Sequence, residues 1–152
     1  MSRPRPASAP LQPLAGRPGT DIARGKYATA TSVRGAAYIP EYALDHNNAS
    51  KWRAADNQYP QTLTVDLGGT FPIDRTETSF EYTTLAYKYR IETSLNGREW
   101  ETYVDKTAAF PVVVSPQVDR KPARAAFMRI TITGCERPEN GAGLYSFELF
   151  QE

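Results

Sequence analysis

Apolar and polar residues alternate along most of the chain beyond residue 20, and that alternation predicts the elements. Leu63, Val65 and Leu67 fall on one face of a strand whose other face carries Thr62, Thr64 and Asp66, the period of a half-buried strand. Tyr89, Ile91 and Thr93 alternate in the same way with Lys88, Arg90 and Glu92, and Met128, Ile130 and Ile132 with Phe127, Arg129 and Thr131. Further strands are predicted over residues 23–33, 71–82, 99–104, 110–118 and 145–150, with Ile73 and Trp100 as core anchors. Gly68-Gly69 predicts a turn. Asn96-Gly97 predicts a hairpin, because both residues tolerate positive φ. One helical turn is expected between residues 36 and 43, leading into Asp45. About eight short strands without a helical period make an all-β chain, an antiparallel β-sandwich or jelly roll.

Composition narrows this picture. The chain has 152 residues, enough for one domain with a full core. Residues 1–20 hold five of the twelve prolines and read as a disordered or extended linker, so the folded module is expected over residues 21–152. A net charge of +1 offers no global field for nucleic acid. The single Cys135 excludes an internal disulfide framework and reads as a buried free thiol. No apolar run reaches the ~18–20 residues of a membrane span, and the N-terminal stretch lacks the apolar centre of a secretory signal. The expectation is a monomeric module from a longer secreted or cell-surface bacterial protein.

The chemistry concentrates between residues 42 and 69. Asp45-His46-Asn47-Asn48-Ala49-Ser50 packs oxygen-bearing side chains as a tight turn or a hard cation requires, and Trp52 to Tyr59 mixes aromatic surface with a guanidinium, a carboxylate and amides. Four pieces then line up in order: A-x-D-x-N-x-x-S-x-W at residues 43–52, VDLG at 65–68, Y-x-I-x-x-S-x-N-G-x-x-W at 89–100, and R-I with F-E-L at 129–130 and 147–149. Together they resemble the coagulation factor V/VIII type C (discoidin) domains, and more narrowly the family 32 carbohydrate-binding modules appended to bacterial glycoside hydrolases.

This resemblance implies a galactose-binding-domain-like sandwich that binds glycans at loops on one end and performs no catalysis. It also implies a structural Ca²⁺ held by Asp45, Asn47 or Asn48, Ser50 and Glu148, although His46 stands where the family usually has glycine. It places Trp52 in the core. The histidine and arginine of the galactose-binding members correspond here to Arg53 and Thr83, so terminal galactose is not the expected ligand. A sugar needs an aromatic platform and planar polar groups around it. The candidates are Tyr38, Arg53, Asp56, Asn57, Tyr59, Glu81, Tyr82 and Tyr145, with Thr83 and Leu144 beside them. Expected partners are a glycan and the other domains of a parent glycoside hydrolase.

Three other readings stay open at this level. One is a lipid- or protein-adhesion module; the predicted loops offer only Leu85 and Leu144 as aliphatic tips, so membrane binding is not expected. Another is a structural spacer in a multidomain enzyme. The last is an enzyme using Asp56 with Glu81, or Glu136 with Glu139, as a carboxylate pair, for which no spacing argument speaks.

Overall fold

The computed structural model describes residues 19–151. Most of the linker expected over residues 1–20 therefore lies outside the described residues. From Asp21 onward the chain builds seven strands: β1 (Tyr27–Ala30), β2 (Trp52–Arg53), β3 (Gln61–Phe80), β4 (Tyr87–Ser94), β5 (Glu101–Lys106), β6 (Gln117–Cys135) and β7 (Gly143–Phe150). Short 3-10 turns cover Ala36–Tyr38, Pro40–Ala43 and Pro138–Asn140. All strand pairings are antiparallel.

Two long strands make the sandwich. The first part of β3, residues 61–66, pairs with β1 and with residues 127–132 of β6, which also pair with β4; β5 lies beyond β4. The register then shifts between Asp66 and Phe71. The second part of β3 pairs with residues 117–125 of β6 on one side and with β7 on the other, and β2 adds to β7. Both β3 and β6 thus contribute to each layer. The turn expected at Gly68-Gly69 is instead a bend within one strand. Gly68 takes φ 74° there, and its N–H donates to Asp66 Oδ1 at 2.9 Å. A bend of this kind redirects a strand without ending it.

The core lies between the layers and follows the alternation. Leu63, Val65, Ile73, Tyr89, Ile91, Met128, Ile130, Ile132, Phe147 and Leu149 are all buried. Phe80 stacks on Tyr87 with ring centroids 4.3 Å apart and tilts against Tyr89 at 5.2 Å. Burying a side chain of this size is worth about 1.5–3 kcal/mol.

Several expectations need correction. The first strand is confined to Tyr27–Ala30, because Asp21 accepts the Ala23 N–H at 2.9 Å and turns the preceding residues. The hairpin loop spans residues 95–100 rather than two residues. Asn96 Oδ1 accepts the N–H groups of Arg98 and Glu99, which holds the wider loop. Trp100 is half-buried instead of a core anchor, with the Arg129 guanidinium 4.0 Å from its ring centroid. Residues 110–116 are not a strand. Pro111 and Pro116 lack ladder donors, and Val112 is 84% exposed.

Candidate functional site

Strand β2 and the start of β7 form one rim of the sandwich. Trp52 pairs with Leu144 and Arg53 with Gly143. Trp52 is fully buried and donates its indole N–H to the Ser32 carbonyl at 3.0 Å, so it anchors the rim, as expected. Alternation along β2 then turns Lys51 and Arg53 outward on either side of it. Both converge on Glu81, the residue that follows β3.

Glu81 is the centre of the arrangement. Its side chain is only 1% exposed, with Oε2 2.8 Å from Lys51 Nζ and 3.1 Å from Arg53 Nε. These contacts are ion pairs rather than aligned hydrogen bonds, and Oε1 has no hydrogen-bond partner among the described residues. Burial works against the Lys51 ammonium, but the Glu81 carboxylate outweighs it and holds the group above its ordinary range. Gly143 makes the approach of Glu81 possible. A Cβ there would lie 3.0 Å from the Trp52 carbonyl and 3.1 Å from Glu81 Oε1.

Two aromatic rings flank these cations. Lys51 Nζ lies 5.1 Å from the centroid of Tyr145, and the Arg53 guanidinium 5.9 Å from that of Tyr38, at the end of the first 3-10 turn. Both tyrosines are half-buried. Tyr38, Arg53, Glu81 and Tyr145 are therefore brought together from four separate stretches of chain. Lys51 was missed by sequence reasoning, since a lysine beside a core tryptophan reads as an ordinary solvated side chain. Gly143 was missed too; its signal was the run of small residues, Gly141-Ala142-Gly143, before an apolar strand.

The other candidates lie farther along the rim. The Ala54 N–H bonds the Ala142 carbonyl at 3.0 Å, which lays the exposed Asp56 and Asn57 against Gly141. Asp56 Oδ1 is taken up by the Gln58 N–H at 3.0 Å. Tyr59 is a strut: its hydroxyl donates to the Pro138 carbonyl at 3.1 Å, and burial pushes its pKa up to about 12. Tyr82 and Thr83 are exposed, and the Tyr82 N–H donates to the Tyr87 hydroxyl at 3.2 Å. Leu144 is fully buried and leaves the site.

Of the residues expected to hold calcium, Asp45, Asn47 and Ser50 bond within their own turn. Asp45 Oδ1 accepts the Asn47 N–H at 3.0 Å, Asp45 Oδ2 accepts the Ser50 hydroxyl at 2.6 Å, and Asn47 Oδ1 accepts the Ala49 N–H at 2.9 Å. Asn48 is exposed. Glu148 faces His46 and Asp21 instead, and these three are the group whose donor atoms lie within 4.8 Å of one another. Ca²⁺ takes six to eight oxygens. A set containing an imidazole, with the loop oxygens already bonded to the turn, does not fit it.

Neither proposed acid–base pair gains support from this geometry. Glu81 is closed over by two cations, and Glu136 accepts the Ala86 N–H at 2.7 Å.

Comparison with known proteins agrees with the architecture. Chitosan-binding module 1 of a Paenibacillus sp. IK-5 chitosanase/glucanase superposes with a TM-score of 0.76 at 25% identity, over 87% of this chain and 99% of that one. Module 2 of the same enzyme, in complex with chitotriose, gives 0.75 at 25% identity over 86% and 100%. CpGH89CBM32-4 of Clostridium perfringens, in complex with GlcNAc-α-1,4-galactose, shares the fold at 18% identity, with a TM-score of 0.76 over 87% and 94%. No curated protein matches the chain. The F5/8 type C domain model matches residues 27–147, and with that match over most of its length the chain belongs to the F5/8 type C domain family.

Proposed function

We propose that the chain is a non-catalytic carbohydrate-binding module that grips a glycan at the β2–β7 rim and directs an attached glycoside hydrolase to it. The observation that carries this reading is the pair of cations on one buried carboxylate, each cation beside a tyrosine ring. Tyr145 and Tyr38 supply apolar faces for the C–H side of a sugar ring. Arg53 and Lys51 supply N–H donors to its hydroxyls, and Glu81 fixes where those donors point. Nothing in this arrangement activates water or holds a nucleophile. The similarity to chitosan-binding modules of a bacterial chitosanase/glucanase supports a secreted or cell-surface setting.

A panel of oligosaccharides that includes chitotriose and GlcNAc-α-1,4-galactose tests the reading. Binding is expected to at least one glycan, lost in Arg53→Ala and Tyr145→Ala with little change in Tm. Unchanged binding by both variants refutes the site, and hydrolysis of the bound sugar refutes the non-catalytic role.

One observation favours a second reading. The loop ahead of β6 exposes Phe110, Val112, Val113 and Val114, with Lys88 Nζ 4.6 Å from the Phe110 ring centroid. These are more aliphatic tips than the two the sequence reading allowed. An adhesion module meets an apolar partner or a lipid surface with such a loop. Sedimentation with anionic liposomes separates the two readings, because a sugar module stays in the supernatant.

A further inference from the structure

The cluster below the rim, at the far end of β7, is not used by the glycan site. Asp21 lies at the start of the folded chain and Glu148 on its last strand. His46 Nε2 sits between them, 2.7 Å from Asp21 Oδ2 and 3.1 Å from Glu148 Oε2. We infer that His46 has taken the place of the structural cation: its imidazole joins Asp21 to Glu148, and the fold closes without calcium.

Three independent features support this assignment. First, Asp21 is already committed on its other oxygen. Oδ1 accepts the N–H groups of Ala23 and Leu149, both at 2.9 Å, leaving Oδ2 alone to meet a positive or donating partner, and the imidazole is that partner. Second, the two carboxylates need something between them. Their oxygens lie within 4.8 Å of one another and of His46 Nε2, and two carboxylates that close repel. A donor shared by both relieves that repulsion. Third, His46 adopts φ 56° and is the one non-glycine residue with positive φ among the described residues. A glycine there is free to curl the loop around an ion. A histidine takes the same backbone less readily than glycine, and here its ring reaches Asp21 and Glu148.

The bridge also explains why the loop oxygens face inward on their own turn. With the space between Asp21 and Glu148 filled by a ring, Asp45, Asn47 and Ser50 satisfy one another and the local N–H groups. The inference does not depend on what the rim binds.

The experiment is a calcium titration of the full chain and of His46→Gly, read by calorimetry and by thermal unfolding in chelator and in calcium. For the native chain, no saturable heat is expected up to about 10 mM CaCl₂, well past the ~0.1–1 mM constants of extracellular modules, and Tm is expected to be equal in both buffers. His46→Gly restores the flexible backbone and uncovers both carboxylates. It is expected to melt lower than the native chain in chelator and to recover with calcium. One equivalent of calcium or zinc bound by the native chain with a rise in Tm overturns the inference, since His46 is then a ligand or a bystander. A His46→Gly chain as stable as the native one in chelator also overturns it, as does one that calcium fails to rescue. Should His46→Gly not fold, His46→Gln provides the second measure: part of the lost Tm is expected back, and loss equal to that of His46→Ala counts against the bridge.

Discussion

Replacing Glu81 by glutamine separates the role of the rim from its stability. In the native chain one carboxylate oxygen orients two long cationic side chains, at 2.8 and 3.1 Å, while the other is buried without a partner. Leaving a buried polar atom unsatisfied costs about 1–3 kcal/mol, and burying the charge costs more still. Glutamine removes the charge and with it both ion pairs. These changes oppose each other, so net stability is expected to move by no more than about 1 kcal/mol, or roughly 2–4 °C in Tm for a chain of this size. Binding is expected to behave differently. Lys51 and Arg53 lose the anchor that fixes them, and immobilising such a side chain when ligand arrives costs about 0.5–1.5 kcal/mol each. For two side chains the loss is about 1–3 kcal/mol, which weakens binding roughly five- to 150-fold. Calorimetry with a sugar from the panel measures the loss of binding, and differential scanning calorimetry the change in Tm. A variant that binds as tightly as the native chain refutes the idea that Glu81 positions the donors. A fall in Tm of 10 °C or more makes it a structural ion-pair residue instead.

Gly143→Ala places a methyl group 3.0 Å from the Trp52 carbonyl and 3.1 Å from Glu81 Oε1; overpacking of this kind is expected to cost about 1–3 kcal/mol in urea unfolding and to weaken sugar binding at the same time. Trp52→Ala empties a fully buried site and is expected to cost about 3–5 kcal/mol, seen as a large loss of Tm. The Arg129 guanidinium beside Glu92 outweighs burial and holds that carboxyl below its ordinary range. A lowered acid stabilises the fold above its unfolded pKa and loses that stability as pH falls through the folded value. Melting curves of Glu92→Gln between pH 5 and pH 2.5 are therefore expected to depend less on pH than those of the native chain. Burial pushes the Cys135 thiol up, so iodoacetamide is expected to label it in guanidinium chloride and not in the folded chain; equal labelling in both contradicts its place in the core.

The parts of the fold that could be read in advance are those where one face of a strand meets the core. Leu63–Val65–Leu67 and Met128–Ile130–Ile132 read correctly because a slip of one residue exposes the whole set. Residues 110–116 misled for the opposite reason: three successive valines satisfy β-propensity, but strand formation needs a neighbour, and two prolines deny it. Trp100 misled because a large ring against a guanidinium looks, in sequence, like a large ring in a core. At the rim, Arg53, Glu81, Tyr38 and Tyr145 were legible from their types and their places next to strands. That Lys51 and Gly143 belong with them was not, because it depends on the pairing of β2 with β7, and a two-residue strand carries no period. The bond from His46 to Asp21 spans 25 positions, beyond any local pattern.

Strands β3 and β6 each pass from one layer into the other, which leaves the sandwich no seam along which to open. A module tethered to one partner and clasping a polymer with its rim is loaded in shear as the two drift apart. Peeling such layers means unpairing both crossing strands from their neighbours together. A glycan held at the rim by a few side chains, as proposed, is expected to be released before those ladders part.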